Sequence, residues 1–263
     1  MLMTIAATAA VGLAAGLHGA LYGAYKDSPH ESFLPHRFVR EIVIALTIAL
    51  MLPLVYAPAE SQSAFVLYLS TFALTRIVTE FWKLFVRTEP QEQFRIPTQI
   101  HAVTAVIHNR FLRLLLGFGF LASIYGISAL GTLIPDAWPR ALHGVLVGLA
   151  IGIAEAIAGA YKDGSIEGFS WRKFAKSPSF GALGGLIASG HTTHDVFLLL
   201  ASIGSMRMFL ELLFKMIVRD YAPGKFRSIT GPFVEWTTRR QHFLVPYAVT
   251  WLLYAALSAH ANW

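Results

Sequence analysis

Seven stretches of this chain are apolar over 17 to 24 residues each: 4–25, 41–57, 63–86, 111–134, 141–161, 195–218 and 242–260. A helix needs about 20 such residues to cross the hydrocarbon core of a bilayer, so each run is a candidate span. An eighth run, 178–190, is short and glycine-rich, bounded by Pro178 and by Ser189 and Gly190. No polar stretch between the runs is large enough for a soluble domain. Composition agrees, because only 14% of the 263 residues are charged, against roughly 25% in a soluble domain. Cysteine is absent, which excludes thiol catalysis, disulfide staples and thiolate metal sites. The first run lacks a basic segment before it, and its small residues lie too near the start for a cleavage site. It reads as a retained span and not as a signal peptide.

The second constraint is duplication. Gly23-Ala24-Tyr25-Lys26-Asp27 recurs as Gly159-Ala160-Tyr161-Lys162-Asp163, an offset of 136. The same offset pairs Glu31 with Glu167, Phe33 with Phe169, Arg37 with Lys173 and Phe38 with Phe174. Later matches, such as Lys83 and Arg87 with Lys215 and Arg219, are spaced by 132. The halves therefore divide at about residue 134, and the second has lost about four residues near its shortened second span. Counting 178–190 opposite 41–57 gives four spans in each half. The expected fold is an all-α integral membrane protein of eight transmembrane helices. Residues 1–134 and 135–263 form two parallel four-helix repeats, related by a pseudo-two-fold axis along the membrane normal.

Charge sets the orientation. Of the 21 Lys and Arg residues, 18 flank the loops after spans one, three, five and seven; Arg76, Arg140 and Arg207 do not. The positive-inside rule makes those loops cytoplasmic and both termini non-cytoplasmic, in an inner or plasma membrane. Orientation and contact with anionic lipid headgroups account for the net charge of +6 without invoking nucleic acid.

Matched glycines, Gly12, Gly16 and Gly23 against Gly148, Gly152 and Gly159, form a small-residue face on spans one and five. Such faces let helices approach closely, and this one predicts that spans one and five meet near the pseudo-axis. Glu155 lies on that face where the first half has Gly19. A carboxyl within the membrane is costly unless paired, protonated or hydrated, so Glu155 is the sharpest candidate for coupling or gating. His18 reads as a neutral core histidine.

Spans three and seven each carry R-x3-E, Arg76 with Glu80 and Arg207 with Glu211, spaced to share a helix face and neutralise one another. These four residues are candidates for contacting an anionic substrate. Lys26, Asp27 and Glu31, with Lys162, Asp163 and Glu167, form a symmetric cytoplasmic gate or rim. The acidic pairs are similar to the paired acidic motifs of intramembrane prenyltransferases, although the N-D-x2-D-x3-D signature is absent. Residues 191–195, His-Thr-Thr-His-Asp, read as an exposed outer loop in preference to a zinc site.

Three functions are compatible with these features. The first is a transporter or flippase for a phosphate- or carboxylate-bearing substrate, a lipid included, moving between the repeats without a cofactor. The second is an intramembrane enzyme acting on a phosphorylated lipid, with Asp27, Glu31, Asp163 and Glu167 holding Mg²⁺. The third is an ion channel.

Overall fold

A computed structural model describes residues 5–28, 32–91, 97–102, 105–135, 137–209 and 238–260, with the side chains of 130, 163, 165–167 and 260 left out. Eight α-helices lie among the described residues: α1 (Ile5–Asp27), α2 (Pro35–Val55), α3 (Ala64–Phe81), α4 (Arg110–Gly131), α5 (Arg140–Glu167), α6 (Trp171–Ser189), α7 (Asp195–Arg207) and α8 (Leu244–His260). A π-helical turn, Trp82–Val86, prolongs α3. A two-stranded antiparallel hairpin, β1 (His101–Ala102) with β2 (Ala105–Val106), precedes α4. Six helical segments are long and apolar enough to cross a membrane: 5–27, 35–55, 64–86, 110–129, 140–162 and 240–259. The chain is thus a mostly helical, membrane-embedded protein. The short sixth run extends upstream as α6, which begins at Trp171 and carries Pro178 inside it.

Local chemistry marks several helix ends. Ser63 Oγ accepts from the Val66 N–H at 3.3 Å, Asn109 Oδ1 from Leu112 at 3.0 Å and Ser170 Oγ from Lys173 at 3.4 Å. Each satisfies one amide that a helix start leaves unpaired. Pro35 opens α2, where the missing N–H costs nothing. Gly168, with φ +78°, ends α5 in a positive-φ conformation that glycine adopts freely. Beyond the π turn, Arg113 of α4 donates from Nε to the Phe85 carbonyl at 3.1 Å, and Gln99 donates to the Arg87 carbonyl at 2.7 Å. These bonds answer the carbonyls that the end of α3 leaves open.

The glycine face packs differently from the sequence expectation. It joins α1 to α2, and α5 to α6. A Cβ on Gly12 would meet Ala49 Cβ at 2.8 Å, and one on Gly16 would meet Ile42 Cα at 2.6 Å. In the second half a Cβ on Gly148 would collide with the Gly181 carbonyl, and one on Gly152 with that of Ser177. Gly23 and Gly159 face open space.

The two halves are joined by α3 and α7 in place of α1 and α5. From Phe65 to Ala73 α3 is buried on every side, as is α7 from Phe197 to Met206. A Cβ on Gly204 of α7 would collide with the Leu69 carbonyl of α3. Thr192 donates to Gln62 at 2.8 Å just ahead of both helices, so α3 and α7 start at the same face and run alongside each other. The other helices surround this pair. α8 packs on α1 and α3, while α4 packs on α5 and α7. The outward sides of α4 and α8 carry exposed Phe111, Phe118, Tyr125, Val245, Val249 and Leu252, as expected of a surface that meets lipid.

One polar–aromatic cluster fixes α1 to this centre. His18 is fully buried, and its Nδ1 lies 2.5 Å from the Tyr68 hydroxyl. Rings of Phe72, Tyr247 and Trp251 surround it at 5.2–5.8 Å. Tyr68→Phe removes the bond and leaves a buried imidazole nitrogen without that partner. The expected loss is about 1–3 kcal/mol, read as a lower thermal midpoint of the purified protein in detergent.

Candidate functional site

Arginines are expensive in the middle of a membrane helix, so their partners show where the interior is polar. Arg76 of α3 bonds across to α2, with Nη1 3.0 Å from Glu41 Oε1. Its helix-mate Glu80 is bonded instead by Lys83, at 3.1 Å. Arg76 thus bonds to another helix, while its charge still acts on Glu80 within R-x3-E. Arg207 of α7 likewise pairs with another helix, its Nη2 3.1 Å from Glu155 Oε2 on α5. Glu211 lies outside the described residues.

These pairs belong to one electrostatic site. The charges of Lys83, Arg76, Lys162 and Arg207 all act on Glu80. Residues from α3, α5 and α7 therefore converge around one carboxylate at the seam where α3 meets α7. Glu41 of α2 joins them through Arg76. Both arginine–carboxylate pairs are largely withdrawn from the surface, with side chains 10% and 15% exposed for Arg76 and Glu41, and 22% each for Arg207 and Glu155. Among the described residues the site holds four cations, Arg76, Lys83, Lys162 and Arg207, and three anions, Glu41, Glu80 and Glu155. Its chemical capacity is exchange: an incoming anion can replace a glutamate at a guanidinium, because both present oxygens to the same planar fork.

Glu41 was missed in sequence. It sits at the start of an apolar run, close to Arg37 and Arg40, where an acidic residue reads as part of the headgroup border. The one available signal was Gly19. A Cβ there would lie 2.6 Å from Glu41 Oε1, so the space beside Gly19 is occupied by that carboxylate.

The repeated motif lies at the same end of the bundle as the charged site, to which it contributes Lys162. The guanidinium of Arg240, just ahead of α8, lies over the Tyr25 ring at 4.6 Å. Tyr161 donates to the His101 carbonyl at 3.3 Å, ahead of α4. Each motif tyrosine thus holds the segment leading into the last helix of the opposite half. Lys26 bonds its neighbour Asp27. Of the remaining rim residues, Lys162 faces the charged seam. Glu31 and the side chains of Asp163 and Glu167 lie outside the described residues. Nearby, burial lowers the guanidinium pKa of Arg87, and Glu89, at 3.1 Å, opposes that shift.

At the opposite face, residues 191–195 are more enclosed than an exposed loop. Thr192 is buried, and the His191 ring lies 4.5 Å from that of Phe65. Burial lowers the pKa of His191. His194 reaches the Tyr56 hydroxyl at 3.3 Å, and Asp195 binds Arg140 at 3.0 Å. The two histidines and the aspartate have separate partners. Among the described residues, no group of three His, Asp or Glu side chains is placed to hold a metal ion. No family model matches the chain, and neither a curated protein nor a solved structure matches it.

Proposed function

We propose that this protein is a transporter or flippase for an anionic substrate bearing phosphate or carboxylate, moved along the seam between two four-span repeats, 1–134 and 135–263. The observation that carries the reading is the arginine–carboxylate network at α3 and α7. Charges inside a membrane protein are costly, and they persist where a polar path or substrate needs them.

Several contacts support parallel repeats about an axis along the membrane normal. α3 meets α7 at the centre, the packing of α8 on α1 and α3 parallels that of α4 on α5 and α7, and the motif tyrosines clasp reciprocally. On this reading all eight helices cross the bilayer, and the face bearing Lys26 and Lys162 is cytoplasmic by the distribution of basic residues. Both termini then lie on the far side. In the present conformation the seam is closed where Leu69 meets Gly204.

Glu155 acts as a gate through its bond to Arg207. The substrate anion displaces it, α7 is released from α5, and re-formation of the pair expels the substrate. Glu155→Gln weakens that competition and leaves the anion on Arg207. The test uses proteoliposomes with fluorescent phosphatidylglycerol or radiolabelled inorganic phosphate as anionic probes, and fluorescent phosphatidylcholine as the zwitterionic control. Movement of an anionic probe is expected, with loss of at least tenfold in Glu155→Gln at unchanged abundance, which corresponds to about 1.4 kcal/mol or more. Absence of movement for both anionic probes, or undiminished movement in the variant, would overturn the proposal.

A further inference from the structure

We infer that Glu41 and Glu155 are the same gating carboxylate in the two halves, delivered to its arginine from different helices. The argument begins with register. At the sequence offset of 136, Gly12 corresponds to Gly148, Gly16 to Gly152, Ala45 to Gly181 and Ile42 to Pro178. The contacts correspond as well. A Cβ on Gly12 would meet Ala45 and Ala49, and one on Gly148 would meet Gly181 and Gly185. A Cβ on Gly16 would meet Ile42, and one on Gly152 would meet Pro178. The α1–α2 and α5–α6 pairs therefore pack in one register.

In that register Gly19 stands where α5 has Glu155, and Glu41 stands where α6 has Ser177. The first half has glycine on its first helix and a carboxylate on its second, whereas the second half has the carboxylate on its first and serine on its second. The geometry joins the two changes, because the Glu41 carboxylate fills the space a side chain at Gly19 would enter, 2.6 Å from its Cβ position. From there it reaches Arg76 at 3.0 Å, as Glu155 reaches Arg207 at 3.1 Å. A glutamate at position 19 with Glu41 retained would set two carboxylates in one space. A gap at both positions would remove the carboxylate that Arg76 bonds across to α2.

The consequence is mechanical. The first half ties its third helix to its second, and the second half ties its third helix to its first. Exchange of the anion therefore frees α3 from α2 in one half, and α7 from α5 in the other. This gating role of Glu41 rests on the transport reading; the equivalence of the two carboxylate sites does not.

The experiment compares Glu41→Ser, Gly19→Glu and the double variant for thermal midpoint in detergent and for phosphatidylglycerol movement in proteoliposomes. Each single variant is expected to lower both readouts, and the double to recover more than half of the larger loss in each. A double variant no better than its worse single overturns the inference. If the double does not accumulate, Glu155→Gly with Ser177→Glu makes the mirrored exchange, and failure of that pair to exceed its singles overturns it as well. If the wild-type protein moves no anionic probe, the transport reading and the gating role fall together, while the thermal comparison still decides the equivalence.

Discussion

Gly148→Leu is expected to leave little folded protein in the membrane. Gly148 lies where the backbones of α5 and α6 touch, and even a methyl group there would collide with the Gly181 carbonyl. The neighbours cannot yield, because they are backbone and the adjoining contacts at Gly144 and Gly152 are as close. Helices in lipid gain no hydrophobic driving force from meeting, so their association depends on this van der Waals fit and on interhelical hydrogen bonds. Overpacking a core typically costs 1–3 kcal/mol. Here the helices must separate along the whole glycine seam, which places the expected cost at about 3 kcal/mol or more. Gly159→Ala supplies the contrast. It has open space at its Cβ and lies within the same helix, so replacing glycine should leave stability unchanged or raise it by up to about 1 kcal/mol. Thermal midpoints in detergent, with membrane abundance, separate the two. A Gly148→Leu protein as stable as the wild type would show that the α5–α6 seam does not hold the fold.

That seam also marks how far the sequence could be read. The apolar runs placed most of the helices, because spanning length is a property of a single segment. They misplaced the start of α6, where Arg172, Lys173 and Lys176 hide about two helical turns behind charge and Pro178 resembles a boundary. Spacing identified the glycine face but left its partner open, since a small-residue face fits any helix that offers another. Chain connectivity supplies the answer. The segments between α1 and α2, and between α5 and α6, are short, and short connections make sequential helices antiparallel neighbours. The charged site was half legible. Arg76, Glu80, Glu155 and Arg207 were visible as charges out of place in apolar runs, and Lys162 only as part of the cytoplasmic rim. Which carboxylate meets which guanidinium depends on how helices turn toward one another, and no spacing within one helix records that. Glu41 and Arg76, 35 residues apart, are joined only by packing.

Removing either arginine tests that packing from the other side, and Arg76→Ala should be the more damaging. Arg76 and Glu41 are 10% and 15% exposed, so neither solvent nor lipid headgroups can readily replace the lost guanidinium. Breaking a buried pair leaves its other member charged and unpartnered, at a cost of about 3–5 kcal/mol. Arg76 also bears on Glu80, so its loss leaves two carboxylates with less cation between them. Arg207→Ala should cost less, because Arg207 and Glu155 are each 22% exposed and water can share the charge. A double-mutant cycle then separates the pair from its surroundings. Glu41→Ala added to Arg76→Ala should recover part of the loss, since the stranded anion is removed with its partner. The expected coupling is about 1–3 kcal/mol, read from thermal midpoints of the four proteins in one detergent. Additive losses would mean that Arg76 and Glu41 stabilise the protein independently, and that the bond between α3 and α2 is not what holds the first half of the seam closed.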